Sequence, residues 1–409
     1  MKLSNFFVKT RKDFPKGEIS VSSQLLTRGG YIDKVTAGVY TLLPFGLKVC
    51  NKISQIIREE MEGLGASEVL MPGLIPKERW QKTGRWESFD ALFKLKGVDE
   101  KEYALGATHE EIVAPLAKQF ALSYKDLPFG IFQIQNKFRN EVRAKSGVLR
   151  TREFIMKDLY SFHENEGCLD EYYKKAQEAY WKIFERCGIK DKTYLTFASG
   201  GSFAKYSHEF QTETEAGEDE VFVCKDCKTG LNKEILDGDF KCPKCGKIQY
   251  DVIKAVEVGN IFKLSDRYSK PFGLNFIDNK GKNQTVLMGC YGIGIQRLMG
   301  AIAEVNYDER GLAWPKEVAP YRIYLIALEG KEKEGEELYR ELSSKGVEII
   351  YDDRKDISAG EKFADCDLLG IPYRVILSEK TGDNVEIKKR SEKDLKIISK
   401  KDLIGIAGS

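Results

Sequence analysis

The sequence predicts an α+β protein with more than one domain, and three observations support that prediction. Residues 136–154 alternate apolar and charged side chains around a short turn that contains glycine, which is the pattern of two antiparallel strands. Two CxxC motifs separated by 14 residues follow in the middle of the chain. From residue 323 onwards, apolar strand patterns alternate with helical patterns, which indicates a separate α/β domain.

Length and composition limit the class of protein. A chain of 409 residues is too long for one hydrophobic core and is expected to form two or three domains. No apolar run reaches the roughly 18 residues that cross a bilayer, and the N-terminal apolar segment is too short for a signal peptide. We therefore expect a cytoplasmic protein that does not bind a membrane. With a net charge of +2, any contact with nucleic acid must depend on local basic patches.

Residues 1 to about 70 predict a helix followed by a strand. Apolar residues recur at helical spacing: Leu47, Ile53, Ile56, Ile57 and Met61. The helix is expected to end near Gly63 and Gly65, and the sequence EVLMP at 68–72 then predicts a strand that Pro72 stops. A second amphipathic helix is predicted at 166–187.

The hairpin segment is strongly basic. Residues 137–157 carry seven Lys or Arg and two Glu, which is a local charge of +5. The repeated choice of arginine favours bidentate recognition of phosphate or carboxylate. The two strands are expected to reach a turn at Ala144 to Gly147. A solvated amphipathic hairpin is the alternative, and this segment alone does not exclude it.

The paired CxxC motifs predict a zinc ribbon. Cys224, Cys227, Cys242 and Cys245 have the spacing of a tetrahedral site of four thiolates, and such a site has no open position, so Zn²⁺ is expected to be structural. A redox pair is the alternative, which the lysine-rich context without a βαβ pattern disfavours. Six nearby lysines could contact RNA or form a solvated face: Lys225, Lys228, Lys233, Lys241, Lys244 and Lys247.

The C-terminal part predicts regular alternation after a linker at 314–320. The expected strands there are 323–328, 347–351 and 374–377, and the expected helices are 332–345 and 360–370. Upstream, apolar strand patterns occur at 252–258 and 285–288.

Four segments, in this order along the chain, resemble class II aminoacyl-tRNA synthetases in the form found in prolyl-tRNA synthetases. They are LGATHEE at 105–111, the hairpin 136–154 as motif 2, MKDLYSFH at 156–163, and MGCYGIGIQR at 288–297 as motif 3. The N-terminal helix and strand resemble motif 1, the dimer interface of that family, although an ordinary helix-strand unit has the same pattern. The resemblance covers nearly the whole chain.

The resemblance implies an antiparallel-sheet catalytic domain flanked by helices, an inserted zinc ribbon and a C-terminal α/β anticodon-binding domain. The expected limits are 1–216 and 251–315 for the two parts of the catalytic domain, 217–250 for the ribbon and 316–409 for the anticodon-binding domain. It also implies a homodimeric ligase that uses ATP and Mg²⁺ to activate L-proline and transfers it to proline tRNA.

Two alternatives to this function are disfavoured by particular residues. A threonyl-type sister enzyme needs a catalytic zinc held by Cys and His of its core, whereas the cysteines here cluster in an insertion. A catalytically inactive RNA-binding relative usually lacks the phosphate-binding arginines, whereas Arg139, Arg152 and Arg297 are all present.

The nucleotide contacts follow from the resemblance. Arg139 would bridge the α-phosphate and the amino-acid carboxylate, and Arg297 would clamp the γ-phosphate, so these two are the expected catalytic residues. Glu141 would accept the adenine amino group, and Phe154 would stack on the adenine ring. The other expected ATP contacts are Arg150, Arg152, Gln211, Gly292 and Gly294.

The resemblance also implies a proline pocket. Thr108 and Glu110 would hold the charged secondary amine, which offers only two N–H donors, and Arg139 would hold the carboxylate. The expected walls are Phe162, His163, Ser207, His208 and Cys290, and Cys290 fits equally well as a small buried hydrophobe. Glu111 is expected to be solvated or structural.

Contacts with tRNA are expected at two places. Arg143 and Lys145 at the hairpin tip would meet the acceptor end. Asp353, Arg354, Lys355 and Phe363 would read anticodon bases, although a turn and a helix cap use the same residues.

The insertion is too short for an editing domain of the kind that many bacterial prolyl enzymes carry, because it holds only about 40 residues. A pocket that admits proline also admits alanine, which is smaller. We therefore expect no editing in cis and a free-standing deacylase that clears alanyl-tRNA.

Overall fold

The structure is a computed structural model that describes residues 1–200, 206–238 and 240–408. Two units are formed. Met1–Lys34, Thr41–Lys52 and Ile302–Ser409 belong to the first, and Val35–Tyr40 with Ile53–Ala301 belong to the second. In the described residues, no helix has the length and apolar character needed to cross a membrane.

The helices and strands follow in chain order. The helices are α1 (Val21–Arg28), α2 (Pro44–Gly63), α3 (Lys77–Lys82), α4 (Arg85–Ser88), α5 (Glu110–Ala117), α6 (Glu166–Arg186), α7 (Ser269–Phe272), α8 (Ile295–Val305), α9 (Glu332–Ser344), α10 (Ala359–Leu369) and α11 (Lys400–Gly408). The strands are β1 (Ile32–Thr36), β2 (Val39–Leu42), β3 (Ala66–Glu68), β4 (Leu74–Pro76), β5 (Lys94–Lys96), β6 (Glu102–Leu105), β7 (Phe129–Phe138), β8 (Glu153–His163), β9 (Thr193–Ser199), β10 (Tyr206–Glu213), β11 (Asp219–Cys224), β12 (Gly230–Asn232), β13 (Tyr250–Ser265), β14 (Asn275–Ile277), β15 (Asn283–Thr285), β16 (Leu287–Gly294), β17 (Tyr307–Asp308), β18 (Gly311–Leu312), β19 (Ile323–Ala327), β20 (Ile349–Asp352), β21 (Tyr373–Leu377), β22 (Val385–Lys389) and β23 (Leu395–Ile398).

The second unit is built on a nine-stranded sheet with the order β10-β9-β12-β11-β13-β16-β8-β7-β3. Its pairs are antiparallel except for β3 with β7 and β12 with β9, so the sheet is mixed, and the predicted antiparallel pairing holds for most of it. Strand β10 also pairs with β13, and β13, β10, β9, β12 and β11 therefore close a ring of pairings. The strands that lead into the CxxC motifs are part of this ring.

The two faces of this sheet have different neighbours, because side chains alternate along each strand. The front face, as we call it, carries Tyr160 and Phe162 of β8 and Cys290 of β16, which belong to one apolar core. The back face is packed by α6, the helix predicted at 166–187. Tyr291 lies on the back face, where its ring is 5.9 Å from that of Tyr172.

Strands β7 and β8 pair as predicted but end before the predicted turn. Residues 139–152 form a loop that is closed at its base by the Arg139 N–H, which donates to the Arg152 carbonyl at 2.8 Å. Val142 is 90% exposed, whereas Val148 is buried because a 3-10 turn at Gly147–Leu149 packs it against Gly300. The apolar alternation in this segment is therefore not a strand pattern. Likewise, β3 ends at Glu68, where the strand predicted at 68–72 begins.

The first unit contains a five-stranded sheet with the order β20-β19-β21-β22-β23. The first three strands are parallel and share an apolar core with α9 and α11, so the predicted C-terminal α/β arrangement is confirmed. The N-terminal residues pack here as well. The backbone of Lys2 forms a parallel β-bridge with that of Tyr351, and the Met1 ammonium donates to the Tyr339 hydroxyl at 2.7 Å. The expected domain limits place these residues in the catalytic domain, and those limits stay a prediction.

Candidate active site

Two buried carboxylates begin helix α5. Glu110 accepts from the Thr108 hydroxyl, from Arg85 Nη1 at 3.2 Å and from the Cys290 thiol at 3.6 Å. Glu111 accepts from the same Arg85 Nη1 at 3.1 Å, and both glutamates have 0% exposure. We call Arg85, Thr108, Glu110, Glu111 and Cys290 the Glu110 cluster. Glu111 is therefore structural and not solvated.

A second buried network supports this cluster on the front face. The Lys137 ammonium lies 2.8 Å from Asp158 Oδ1, and both side chains are buried. The Tyr160 hydroxyl donates to Asp158 at 3.0 Å and accepts from the His109 N–H at 3.0 Å. Burial and the nearby charge of Lys137 lower the pKa of His109 to about 4, so its ring is neutral and can accept from Lys137. The charges in this network are compensated inside the protein.

Sequence reasoning missed four of these groups: Arg85, Lys137, Asp158 and Tyr160. The available signal was the position of Lys137 and Asp158 within strand segments that are rich in apolar residues. A charge at such a position is expected to have a buried partner, because burying an isolated charge is costly.

A cavity lies between the loop 139–152 and strands β13 and β16. It is lined by Arg139, Glu141, Val148, Leu149, Thr151, Phe154, Met156, Glu257, Val258, Gly259, Asn260, Gly292, Gly294 and Arg297. We call it the Arg139 pocket. It brings together six of the predicted nucleotide contacts: Arg139, Glu141, Phe154, Gly292, Gly294 and Arg297.

Arg139 stands at the base of the loop with few partners of its own. Its Nε donates to the Ala107 carbonyl at 3.4 Å, and its guanidinium carbon lies 5.4 Å from the centre of the Phe154 ring. Across the described ranges, no carboxylate oxygen is within 4.0 Å of this guanidinium. Burial and the like charge of Arg297 lower the pKa of Arg139. An anion that enters the pocket would therefore meet a positive charge that the protein leaves largely uncompensated.

Arg297 faces the same pocket from α8. Its Nη1 lies 3.3 Å from the Glu257 carboxylate, and its Nε donates to the Leu149 carbonyl at 2.9 Å. A Cβ at Gly292 would lie 2.8 Å from the Asn260 amide oxygen, so a larger residue at this wall would displace the Asn260 side chain. These contacts hold the Arg297 guanidinium between Glu257 of β13 and Leu149 of the motif 2 loop.

The other loop arginines are engaged elsewhere. Arg150 pairs with Glu141 at 2.9 Å and with Glu218 at 2.6 Å, and Lys145 lies 3.3 Å from Glu218. Arg152 donates to the Glu141 backbone carbonyl at 3.0 Å. Neither Arg150 nor Arg152 lines the Arg139 pocket in this structure, and Arg143 is exposed.

Gln211 is buried on β10, directly opposite Glu257 in the strand register. Its amide nitrogen donates to Glu209 at 2.9 Å and to Asp219 at 2.7 Å, while its Oε1 accepts no hydrogen bond from the part of the chain that the structure describes. Burial, with the charge of Glu257, raises the pKa of Glu209 to about 8. Gln211 thus lies behind the Arg139 pocket and does not line it.

The residues predicted to line the proline pocket lie on both faces of the sheet. Phe162 lies on the front face with Cys290 and stacks on Phe129 at 4.7 Å. His163 bonds Ser161 at 2.8 Å and His208 bonds the Tyr173 hydroxyl at 2.8 Å, both on the back face. Ser207 donates to the Ser199 carbonyl at 3.0 Å. Strand alternation therefore corrects the expectation that these histidines line one pocket with Cys290.

The four cysteines of the CxxC motifs converge. Their sulfur atoms all lie within 4.8 Å of one another. Each motif closes with the same turn, in which the Lys228 N–H donates to the Cys224 carbonyl at 3.0 Å and the Gly246 N–H to the Cys242 carbonyl at 2.8 Å. Both donor residues have positive φ, 56° and 71°. The two motifs thus have matching backbone geometry around one point.

The predicted anticodon contacts lie in the first unit. Arg354 is held at 2.7 Å by each of Asp352 and Asp365, and Asp353 accepts from the Ser4 N–H at 2.8 Å. Asp353, Arg354 and Lys355 line a cavity of about 570 Å³. The Phe363 ring lies 4.7 Å from the guanidinium carbon of Arg374.

Comparisons with known proteins find family models and relatives that are similar to this chain. Residues 93–306 match the class II core domain of the tRNA synthetases for G, H, P, S and T, and residues 322–407 match an anticodon binding domain. The proline–tRNA ligases of Geobacillus sp. (strain WCH70) and Desulforamulus reducens are each 32% identical, over 99% of this chain and 98% of their own lengths. The Geobacillus alignment spans 560 positions, so at least 151 of them are absent from this chain of 409 residues.

A solved structure gives the same fold. Giardia lamblia prolyl-tRNA synthetase in complex with prolyl-adenylate covers 94% of this chain, and the match covers 75% of that protein, with a TM-score of 0.78 and 18% identity. The fold, the two matched domains and the full-length similarity together show that the chain belongs to the proline–tRNA ligases, a family of class II aminoacyl-tRNA synthetases.

Proposed function

We propose that this chain joins L-proline to ATP, forming prolyl adenylate and pyrophosphate, and then transfers the prolyl group to proline tRNA with release of AMP. The observation that carries the proposal is the position of Arg139. Its guanidinium bonds the backbone of Ala107, next to Thr108 of the Glu110 cluster, and also faces Phe154 in the Arg139 pocket. One arginine therefore lies between a site for an amine and a site for a nucleotide.

The residues of the pocket act by position and charge. Glu110 and Thr108 would hold the secondary ammonium group, and Arg139 would hold the carboxylate against the α-phosphate for in-line attack. Arg139 and Arg297 would neutralise the charge that grows on the phosphate oxygens. Phe154 would stack on adenine. Because the attacking carboxylate is already ionised, no general base is needed.

Magnesium would be held by oxygen ligands behind the phosphates. Glu257 and the Oε1 of Gln211 fit this role, since they face each other across β13 and β10 and that Oε1 is buried without a partner among the residues described. Bound there, Mg²⁺ would supply positive charge that offsets the negative charge of the phosphate oxygens.

Zinc would be structural. In a tetrahedral Zn²⁺ site, sulfur atoms lie about 3.8 Å apart, given Zn–S bonds of roughly 2.3 Å. Cys224 and Cys245 are 3.6 Å apart, and Cys227 and Cys242 are 3.5 Å apart. Four thiolates leave no coordination position for a substrate.

Two surfaces would contact tRNA. Arg143 and Lys145 project from the motif 2 loop and would meet the acceptor end, and the exposed Lys355 beside the 570 Å³ cavity would meet the anticodon loop. Asp353, Arg354 and Phe363 would shape that second surface, although their present partners lie within the protein.

A homodimer would be formed through the segment that resembles motif 1. Leu70 and Leu74, next to β3, are 77% and 49% exposed, which supports burial by a second copy of the chain. Sedimentation of a Leu70→Asp variant tests this, and an unchanged oligomeric state would count against it.

Editing is expected to be absent from this chain. Rejection of alanine would depend on lost apolar contacts, worth about 1–3 kcal/mol for each missing methylene, which is too little for high fidelity. We expect some alanyl-tRNA to form and to persist until a separate deacylase acts. Deacylation of purified alanyl-tRNA is the measurement. Hydrolysis above the spontaneous rate that is lost on mutation within 217–254 would show that the insertion edits.

Pyrophosphate exchange with each of the twenty amino acids tests the proposed function. We expect exchange with proline, at a rate well above that with threonine. Best exchange with threonine would identify a threonyl-type enzyme, and exchange with none would favour a catalytically inactive RNA-binding protein.

A further inference from the structure

Two adjacent glutamates of the Glu110 cluster share one guanidinium. Glu110 and Glu111 have side chains with 0% exposure, and the side chain of Arg85 is 4% exposed. One nitrogen of Arg85, Nη1, contacts both carboxylates at 3.1–3.2 Å. When both carboxylates are ionised, these three side chains carry one negative charge in excess.

The neighbouring groups do not cancel this excess. From β7 and β8, Lys137 and Asp158 face the cluster as a compensated pair 2.8 Å apart. His109, at the start of α5, is neutral, and burial raises the pKa values of Tyr160 and Tyr268, so both hydroxyls are protonated. Arg139 is the remaining positive charge near Glu110, and under the proposed function the substrate carboxylate takes up that charge. Among the described side chains at the cluster, the excess charge therefore faces the amine position.

Arg85 is held so that it reaches both glutamates. Its guanidinium carbon lies 4.4 Å from the centre of the Phe89 ring and 5.4 Å from that of Trp80. Even with Arg85 in place, burial raises the pKa of Glu111 to about 7. The ionisation of the pair therefore depends on this arginine.

We propose that Arg85 is a positioning residue for amino-acid recognition: it keeps Glu110 and Glu111 ionised side by side, and the secondary ammonium group of the substrate neutralises the negative charge that remains. The inference rests on the proposed function and extends it to the charge that selects the substrate. Loss of Arg85 would leave two adjacent buried carboxylates without their shared cation, so the pair would hold a proton between them.

The charge balance predicts a pattern across four variants. Arg85→Met makes the glutamates share a proton, and Glu111→Gln removes the excess charge by leaving Glu110 fully compensated by Arg85. Each single change should therefore raise KM for proline, by about tenfold or more. The double variant Arg85→Met with Glu111→Gln restores one negative charge on Glu110 and should recover much of the affinity. Arg85→Lys keeps the positive charge and should be the mildest change.

The experiment measures KM for proline, KM for ATP and kcat by pyrophosphate exchange near pH 8, where Glu111 is ionised in the wild type. Arg267→Met, an exposed arginine of the same unit, is the matched control. The expected result is a rise in KM for proline alone in both single variants, with recovery in the double variant. A merely structural role predicts that the double variant is the worst of the three.

Two outcomes would overturn the inference: unchanged KM for proline in a folded Arg85→Met variant, or a double variant no better than either single one. If Arg85→Met does not fold, Glu111→Gln decides, and an unchanged KM for proline in that variant contradicts the proposal. Absence of exchange with proline in the wild type would instead contradict the proposed function.

Discussion

The Glu110 cluster and the Arg139 pocket differ in how their charges are compensated. In the cluster, Glu110 and Glu111 contact Arg85, and the adjacent Lys137 and Asp158 form a buried pair. In the pocket, Arg139 has no carboxylate within 4.0 Å among the residues that the structure describes, and its charged neighbour is another arginine. Before substrate binds, the part that recognises the amino acid thus holds one arginine against two carboxylates, whereas the part that handles phosphate has no carboxylate at Arg139 and awaits the anions that ATP brings.

The difference also lies in the backbone. Glu110 begins a helix, and Asp158 and Tyr160 lie within the longest antiparallel pair of the sheet. Arg139 comes one residue after β7 ends, at the base of an irregular loop. Selection of the amino acid therefore depends on rigid elements, while phosphate binding depends on a loop arginine that the nucleotide helps to fix.

The largest effect is expected from substitution of Arg139, whose charge has no carboxylate partner in the described residues. Arg139→Ala should lower kcat for adenylate formation by on the order of 10²-fold or more, because this charge stabilises the transition state. The fold should persist, since no ion pair is lost in the described structure. Single-turnover formation of prolyl adenylate is the measurement.

Arg150→Ala is the matched control for that variant, because Arg150 is compensated by Glu141 and Glu218. We expect a smaller loss of kcat for it than for Arg139→Ala. Near-normal adenylate formation by Arg139→Ala, or an equal loss in both variants, would show that the contrast between the two regions is wrong.

A smaller effect is expected when a substitution in the cysteine cluster removes zinc. Glu218 and Asp219 lie at the start of β11, the strand that ends at Cys224, and contact Arg150 and Gln211 near the Arg139 pocket. Cys242→Ser should release zinc and raise KM for ATP severalfold, with less change in KM for proline, while the C-terminal unit keeps its fold. Metal analysis and exchange kinetics test this. A preparation without zinc and with full activity would contradict the assignment.

The smallest expected effect is on how the stability of the fold depends on pH. Burial and the charge of Glu257 raise the pKa of Glu209 to about 8, whereas the unfolded chain has its ordinary value near 4.5. Between about pH 4.5 and pH 8, the folded state keeps the Glu209 proton and the unfolded state releases it. The free energy of unfolding therefore falls as the pH rises through this range.

Glu209→Gln should therefore stabilise the protein by on the order of 1–3 kcal/mol at pH 7, with a smaller gain near pH 5. Denaturant unfolding at both pH values gives the comparison. Destabilisation at pH 7, or an effect that does not depend on pH, would contradict the assigned protonation state.

The sequence predicted the parts of the fold that local patterns determine. Helices α2, α6, α9 and α10 follow from apolar spacing, and the order of the motifs predicted the antiparallel sheet. It did not predict the loop at 139–152, because Val142 and Val148 alternate like strand residues although the first is exposed and the second packs in a turn.

The candidate site was predictable where its residues belong to short sequence motifs, including the two motifs that meet in the Arg139 pocket. Thr108 and Glu110 lie two residues apart in one such motif, and the Thr108 hydroxyl donates to the Glu110 carboxylate. Arg85 lies 25 residues before Glu110, and its role arises from tertiary packing. His163 and His208 were assigned without knowledge of strand alternation at those positions, so the face on which each lies could not be inferred.

The ring of strand pairings around β13 bears on how the protein can be shortened or extended. Because β11 and β12 fill the space between β9 and β13, removing 217–250 would leave the backbone groups of two strands open to solvent and to other chains. Such a deletion is expected to aggregate even where zinc is dispensable. The described residues between β12 and β13, 233–238 and 240–249, belong to no strand of the ring, so sequence added there would leave the pairings of the ring intact.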